Sequence, residues 1–228
     1  MIIKKYGLIH RRVKQTDIEM IRHHRNAEHI RKQMFYQKKI TQDMQQQWFQ
    51  NINSIYHYYF IIEENKMPVG LVNLKDVDYS KRIGEGGLFL WDESCLKTTL
   101  PVCSAICMLD FSFQILQLKT ILTQVREDNL NAIHFNERLG YESYNIDHKN
   151  NKINYFVSKD AYYQKAGSIR QMVMRMTNEF NPLSFDDIDL LIENNEEWEQ
   201  LYMNLPSYIL KPCLKCKQNN QYVKTYAL

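Results

Sequence analysis

The stretch from Gly86 to Tyr141 constrains the fold more strongly than any other part of the chain. It reads as five segments in order: an apolar strand (86–91), a polar turn (92–99), a long apolar helix (101–116), a second strand (119–125) and a second helix (129–139) that stops at Gly140. A strand–helix–strand–helix unit of this length favours a right-handed crossover between parallel strands. In such units the turn after the first strand faces the ligand crevice. The stretch therefore predicts an α/β fold with a binding site beside residues 92–99.

The composition is typical of a globular protein. A length of 228 residues fits one domain of ordinary size plus an appendage, or two small domains. The hydrophobic content of 44% and the charged content of 24% predict a packed core. A formal charge of +3 is too small to indicate a nucleic-acid partner by itself. Because no apolar run approaches the ~20 residues that span a bilayer and no signal-peptide core is visible, we expect a cytoplasmic protein without a membrane partner.

The cysteines and histidines do not indicate a metal site. Cys213 and Cys216 form a lone C-x-x-C pair, and zinc would need two further ligands. Cys95, Cys103 and Cys107 lie in or beside the apolar helix, which suggests small core residues in a reducing compartment. The histidines show no metal-ligand spacing. We therefore expect no bound metal.

The N-terminal half supplies further elements before the crossover unit. Residues 6–13 can form a strand, and Thr16 is predicted to cap a helix whose apolar stripe begins at Ile18. A second helix is predicted to begin at Thr41. Residues 58–63 and 69–77, joined by a polar turn, predict an antiparallel hairpin.

Two motifs resemble those of GNAT-type N-acetyltransferases. The segment Asn129-Leu-Asn-Ala-Ile-His-Phe-Asn-Glu-Arg-Leu-Gly-Tyr141 is similar to the signature that closes the acetyl-CoA-binding half of these enzymes. The segment from His24 to Phe49, with Arg25-Asn26 and Trp48-Phe49, resembles the opening of one branch, with His24 in place of the usual Trp. That branch includes the pseudaminic-acid pathway acetyltransferase, which acetylates a nucleotide-linked amino sugar. The resemblance covers roughly residues 6–160.

The resemblance implies an α/β (α+β) GNAT fold. Its central sheet is expected to be mixed, mostly antiparallel, splayed at the cofactor site and flanked by helices. Residues 1–161 would form this domain, with a final strand pair at 142–147 and 153–158. Residues 162–228 would form a helical C-terminal appendage, with apolar spacing of helical period at 168–180 and 185–205. The appendage is expected to pack on the core or on a second subunit, which would make a homodimer through the C-terminal helices.

Acetyl transfer from a thioester needs an acceptor for the amine proton, a donor for the developing oxyanion and support for the leaving thiolate. Glu85 is our candidate base, because it enters the strand that would present the thioester and matches the acidic position of ribosomal-protein acetyltransferases. An exposed strand-end carboxylate is the alternative. The backbone of Leu88, Phe89 and Leu90 is expected to hold the thioester.

The turn before the apolar helix is the predicted pyrophosphate site, because helix N-termini bind anions. The family's glycine-rich loop is replaced here by residues without glycine, and the candidates for this site are Lys97, Thr98, Thr99 and Leu100. The threonines can cap the helix and offer hydroxyls, and the lysine supplies charge. The alternative is an ordinary capped core helix whose ligand site has been lost.

Further candidates follow from the two motifs. Asn129 is expected to hydrogen-bond the pantetheine arm, to cap the following helix, or both. Asn136 stands where many family members carry the Tyr that protonates the leaving thiolate, and an amide cannot act as an acid at neutral pH. Arg25 and Asn26 are candidate acceptor-binding residues, since Arg pairs well with phosphate. Trp48 either stacks on the acceptor or belongs to the core.

Three functions fit these residues. The first is acetyl-CoA-dependent N-acetylation of a small amine, with a nucleotide-linked amino sugar of surface glycan biosynthesis as the preferred acceptor. The second is acetylation of a protein N-terminus or of another small amine. The third is a GNAT-derived binding or assembly module that has lost catalysis. Calorimetric titration with acetyl-CoA separates the third from the other two.

Overall fold

A computed structural model of the chain describes residues 1–190 and 201–219. The nine strands in this part of the chain are β1 (Ile2–Lys5), β2 (Leu8–Arg12), β3 (Tyr58–Glu64), β4 (Met67–Asp78), β5 (Ile83–Leu90), β6 (Thr120–Arg126), β7 (Glu142–Asp147), β8 (Lys152–Ser158) and β9 (Ile188–Asp189). The helices are α1 (Ile18–Asn26), α2 (Glu28–Lys32), α3 (Gln42–Ile52), α4 (Leu100–Asp110), α5 (Leu130–Arg138), α6 (Lys159–Lys165), α7 (Gly167–Thr177) and α8 (Ser207–Asn219).

The strands form one mixed sheet in the order β7-β8-β6-β5-β4-β3-β2-β1-β9. Neighbouring strands are antiparallel except β5 and β6, which run parallel and pair only through residues 83–85 and 120–122. Beyond Glu85, β5 pairs with β4 alone, and β6 continues against β8. The two central strands therefore diverge. The expected mixed, mostly antiparallel and splayed sheet is confirmed.

Two apolar layers cover the sheet. One core contains buried residues of α4 together with alternate strand residues such as Phe60, Val72 and Leu74. The other contains residues of α1 and α3 against the intervening strand positions, among them Ile61 and Leu71. Because successive strand residues point to opposite faces, this alternation places α4 on one face and α1 and α3 on the other. Cys95, Cys103 and Cys107 are buried, as predicted.

The N-terminal prediction was wrong in two details. The strand predicted at 6–13 is present but shorter, as β2, because the chain turns at Tyr6 (φ 56°) and Gly7 (φ 73°) after β1, which was not predicted. The Glu179 carboxylate accepts both turn amides at 2.9 Å, which stabilises this unusual backbone. Thr16 does not cap α1. Instead a 3-10 turn precedes the helix, and the Asp17 carboxylate accepts the Lys14 amide at 2.7 Å.

The C-terminal region also differs from the prediction. Helix α6 was missed, although Ser158 caps it by accepting the Ala161 amide at 3.2 Å. Residues 185–189, expected to begin a helix, form a 3-10 turn and then β9, which pairs antiparallel with β1. The remainder of the acidic segment that we predicted as helical, residues 191–200, lies outside the described residues, as does the Cys216 side chain.

The helices in the described ranges are all too short or too polar to cross a membrane. Within the same ranges, His, Cys, Asp and Glu side chains form no group of three or more that could hold a metal ion.

Candidate active site

The gap between the diverging strands begins at Gly86. The Thr123 hydroxyl on β6 donates to the Gly86 carbonyl at 3.0 Å, so this carbonyl points toward β6. The Trp91 amide donates to the Val69 carbonyl of β4 at 3.2 Å, so this amide points toward β4. Because backbone groups alternate along a strand, the amides of Leu88 and Leu90 point into the gap, and that of Phe89 points toward β4. The Leu88 N–H therefore points into the gap, and its predicted role toward an oxyanion stays a prediction.

The turn before α4 keeps part of an anion-binding helix terminus. The Thr98 hydroxyl accepts the Leu100 amide at 3.2 Å and donates to the Cys95 carbonyl at 2.8 Å. Pro101 has no N–H to offer. In the described structure, the amides of Thr99 and Val102 have no protein acceptor. Two backbone donors and the positive end of the helix dipole therefore remain for an anion.

The side chains of this turn leave its surface open. Lys97, Thr98 and Thr99 are exposed, whereas Leu100 is buried beneath the turn. Among the described residues, no carboxylate pairs with the Lys97 ammonium group. A lysine ammonium group without a carboxylate partner, beside two amides without an acceptor, can bind a diphosphate. The glycine-free loop therefore has donors that fit the anionic part of acetyl-CoA.

The two asparagines at α5 have different surroundings. The Asn129 side-chain oxygen accepts the Ala132 amide at 3.1 Å, so the predicted helix cap is present. Its NH₂ group has no acceptor among the described residues and is free to contact pantetheine. The Asn136 NH₂ group donates to the Ala132 carbonyl at 2.8 Å, within its own helix. One of the two N–H donors of Asn136 is therefore used within the helix.

Glu85 lies on the opposite face of the sheet from α4, half-buried beside Lys75. The Lys75 ammonium group is 3.0 Å from a Glu85 carboxylate oxygen, and the two residues are direct partners across β4 and β5. Burial lowers the pKa of Lys75, but the hydrogen bond and negative charge of Glu85 outweigh it, so the pKa of Lys75 is raised. Sequence reasoning missed Lys75, since only strand register brings it to Glu85.

Aromatic side chains continue this face beyond Glu85. The His24 ring stacks on Trp91 with a centroid separation of 4.7 Å and an interplanar angle of 7°. Burial, followed by the charges of His23 and His29, lowers the pKa of His24. Trp48 lies edge-on to Tyr59 at 5.2 Å and packs against the α1–α3 core. The flat His24 ring therefore covers Trp91. In the branch that the segment from His24 to Phe49 resembles, this sequence position is a Trp.

Arg25 and Asn26 follow His24 but differ in what they can bind. The Asn26 amide donates to the Ile40 carbonyl at 2.8 Å and accepts the Ile40 amide at 2.7 Å. It therefore fixes the loop before α3. Arg25 donates through Nη2 to the Tyr36 carbonyl at 3.2 Å, whereas its enclosed Nη1 has no partner in the described structure. Burial lowers the pKa of Arg25. The positive charge of the Arg25 guanidinium group suits a phosphate.

Comparison with known proteins agrees with this geometry. The family model described as an acetyltransferase (GNAT) domain matches residues 11–156. No curated protein matches the chain. A spermidine N-acetyltransferase from Vibrio cholerae, solved with CoA and spermine, superimposes with a TM-score of 0.62 at 20% identity, over 68% of this chain and 98% of that one. The apo structure of FdhC, described as a nucleotide-linked sugar GNAT, superimposes with a TM-score of 0.63 at 23% identity, over 76% of this chain and 98% of that one.

A domain from Methanocaldococcus jannaschii superimposes with a TM-score of 0.59 at 20% identity, over 66% of this chain and 97% of that one. At such identities the superpositions establish the fold alone. The family match spans well over half of the sequence. The chain therefore belongs to the GNAT family of acetyltransferases, and acetyl-CoA is its acyl donor.

Proposed function

We propose that this enzyme acetylates the amino group of a nucleotide-linked amino sugar, a reaction of surface glycan biosynthesis. The observation that carries the proposal is the charge beside the acceptor face, by which we mean the face of the sheet that carries Glu85 and Trp91. Residues 22–39 contain six Arg and Lys side chains and one acidic side chain, a net charge of +5. The stack of His24 on Trp91 holds this segment against the end of β5.

This charge favours an anionic acceptor. A nucleoside diphosphate carries negative charge that Arg and Lys attract, and Arg25 adds its guanidinium charge to this segment. A polyamine acceptor would bring several positive charges to the same segment and would be repelled. The side chains of Phe35 and Tyr36 are 45% and 44% exposed in this segment, so they offer aromatic surface to a nucleobase.

The chemistry assigned to the chain is direct acyl transfer. The Glu85 carboxylate takes the proton of the acceptor amine, directly or through one water. The Leu88 amide donates to the oxyanion that develops in the gap. The amides of Thr99 and Val102, with Lys97, hold the diphosphate of the donor, and the Asn129 NH₂ group contacts its pantetheine arm. No metal is needed for these roles.

The test is an acceptor panel assayed with acetyl-CoA at neutral pH. It contains UDP- and dTDP-linked 4-amino sugars, the free amino sugars, spermidine and short peptides with free N-termini. We expect the nucleotide-linked sugars to give the highest kcat/KM, with the free sugars at least tenfold lower because the diphosphate contacts are lost. Equal turnover of free and linked sugars, or preference for spermidine or peptides, would overturn the proposal.

Arg25→Gln gives a sharper test of the same contact. We expect KM for the nucleotide sugar to rise by about tenfold or more, the loss of one charge-assisted hydrogen bond, while KM for acetyl-CoA stays constant. Lys81→Gln is the matched control, because Lys81 is an exposed cation paired with Asp78 on the β4–β5 turn. An unchanged acceptor KM in Arg25→Gln would remove Arg25 from the site.

A further inference from the structure

Tyr141 lies at the inner end of the gap between β5 and β6. Gly140, with φ 93°, ends the α5 segment and turns the chain so that the Tyr141 ring enters the core, where it is 7% exposed. A Cβ placed on Gly86 would lie 3.7 Å from the Tyr141 hydroxyl oxygen and 3.3 Å from Ile121. The hydroxyl therefore lies against the glycine at which the two strands diverge.

The Tyr141 hydroxyl has no hydrogen-bond partner among the described residues. Several buried tyrosines are paired: Tyr6 and Tyr162 donate to Asp110, and Tyr58 pairs with Tyr79, whereas Tyr155, like Tyr141, has no partner among the described residues. A buried tyrosine hydroxyl normally finds a partner. The Tyr141 hydroxyl differs from that of Tyr155 in its position beside Gly86, at the base of the gap, where a bound substrate can supply the partner.

The neighbouring polar groups already have partners or assigned roles. The Gly86 carbonyl already accepts the Thr123 hydroxyl, and the Leu88 amide, two residues further along β5, points into the gap toward the acyl oxygen. The donor left at the inner end is the Tyr141 hydroxyl. Asn136, the residue at the expected position, uses one of its two N–H donors within its own helix.

We propose that the Tyr141 hydroxyl donates a hydrogen bond to the thioester sulphur and stabilises the charge that develops on it during acyl transfer. This inference rests on the acetyl-CoA chemistry of the proposed function and not on the identity of the acceptor. The amine nitrogen forms a bond to the acyl carbon, the carbon–sulphur bond breaks, and its electron pair stays on sulphur. The amine proton passes to Glu85 or water, and the thiolate takes its own proton from solvent.

The acidities indicate hydrogen-bond donation without complete proton transfer. Burial raises the pKa of Tyr141 above the ordinary tyrosine value. An ordinary tyrosine already has a pKa of about 10, against about 8.5 for a thiol, so a phenol is the weaker acid of the two. The proton therefore stays on the Tyr141 oxygen while the hydrogen bond strengthens.

The experiment compares the affinities of CoA and desulfo-CoA, which lacks the sulphur, by calorimetry at pH 7 and pH 9. In the wild-type protein CoA is expected to bind about tenfold or more tighter than desulfo-CoA at pH 9, when the thiolate is present, and the advantage should shrink at pH 7. In Tyr141→Phe we expect equal affinities, with desulfo-CoA binding unchanged. Tyr144→Phe, at an exposed tyrosine of β7, is the control and should keep the wild-type ratio.

Activity provides a second readout. Tyr141→Phe should lower kcat by about tenfold to a hundredfold without changing KM for acetyl-CoA. A wild-type protein that binds CoA and desulfo-CoA equally at both pH values overturns the inference without any variant. So does a Tyr141→Phe protein that keeps the ratio. Neither result depends on an acceptor, so a wrong acceptor assignment leaves this test intact.

Discussion

At the scale of single residues, the ion pair between Glu85 and Lys75 defines how the candidate base operates. The pair lies across β4 and β5 with its two side chains about one-fifth and one-third exposed. Lys75 also lies 3.5 Å from Asp76, so one cation is shared by two carboxylates. In the proposed mechanism the acceptor amine approaches the Glu85 carboxylate, so an incoming ammonium group would compete with Lys75 for it. In that mechanism Lys75 is a positioning residue for Glu85.

Replacing Glu85 by Gln keeps the shape and removes the proton acceptor. We expect kcat to fall by about a hundredfold or more, the usual contribution of a general base, with unchanged calorimetric affinity for acetyl-CoA. Asp76→Asn is the control, because Asp76 contacts the same lysine but its side chain is far more exposed than that of Glu85. Wild-type turnover in Glu85→Gln would exclude Glu85 as the base.

At the scale of elements, the crossover unit was predictable because its signals are local. Apolar spacing, the stop at Gly140 and the Asn129 cap all lie within the segments that they define. The turn between β1 and β2 was not predictable, because it depends on Glu179, which is more than 170 positions away in the sequence. Strand β9 is only two residues long and exists through its pairing with β1.

The site shows the same division between local and distant signals. The motifs alone led to Leu88, Lys97 and Asn129 as candidate site residues, and their roles stay predictions. Lys75 and Tyr141 could not be found in this way, because strand register and the packing of Gly86 determine what they contact. Register is set by the whole sheet, and a slip of one residue would turn Glu85 to the opposite face.

The contact between β2 and α4 predicts a pH-dependent stability. His10 on β2 is fully buried, its Nε2 lies 2.9 Å from the Ser104 hydroxyl of α4, and its Nδ1 has no partner in the described structure. Burial lowers the pKa of His10 from 6.5 to about 4. As the pH falls, His10 is therefore protonated in the unfolded chain before it is protonated in the folded protein. The contribution of neutral His10 to the free energy of unfolding is fully present above about pH 6.5. It is lost as the pH falls toward 4, which lowers the free energy of unfolding by about 3 kcal/mol in all.

His10→Gln removes this titration while retaining a donor for Ser104. We expect the decline of unfolding free energy between pH 6.5 and 4.5, measured by urea denaturation, to become shallower than in the wild type. His148→Gln provides the control, since His148 is an exposed histidine paired with Glu127. An identical pH profile in wild type and His10→Gln would contradict the assignment.

At the scale of the molecule, Asp110 joins the C-terminal segment to the family domain. Its carboxylate, at the end of α4, is fully buried. It accepts the hydroxyls of Tyr6 at 2.5 Å and Tyr162 at 2.9 Å, and two N–H groups of Arg170 at 3.1 Å. Tyr162 and Arg170 belong to α6 and α7, which lie beyond the matched residues 11–156. The domain boundary after residue 161 and the homodimer stay predictions.

This network predicts that the two parts unfold together. Asp110→Ala leaves the Arg170 guanidinium and two tyrosine hydroxyls buried without their acceptor, and breaking a buried ion pair costs about 3–5 kcal/mol. We expect a loss of that size in urea denaturation, as one transition seen equally by fluorescence and far-UV circular dichroism. Asp160→Asn, an exposed carboxylate in the first turn of α6, is the control.

The double variant Asp110→Leu/Arg170→Met separates the buried charge from the packing around it. Removing both partners leaves no uncompensated ion, so a substantial part of the lost stability should return, because a buried pair gains little over apolar residues of similar volume. If the double variant is as unstable as the sum of its single changes, the two side chains are not coupled. Two separate transitions in Asp110→Ala would show instead that residues beyond 161 fold as an independent unit. A single cooperative core unfolds in one transition, because all of its contacts are lost together.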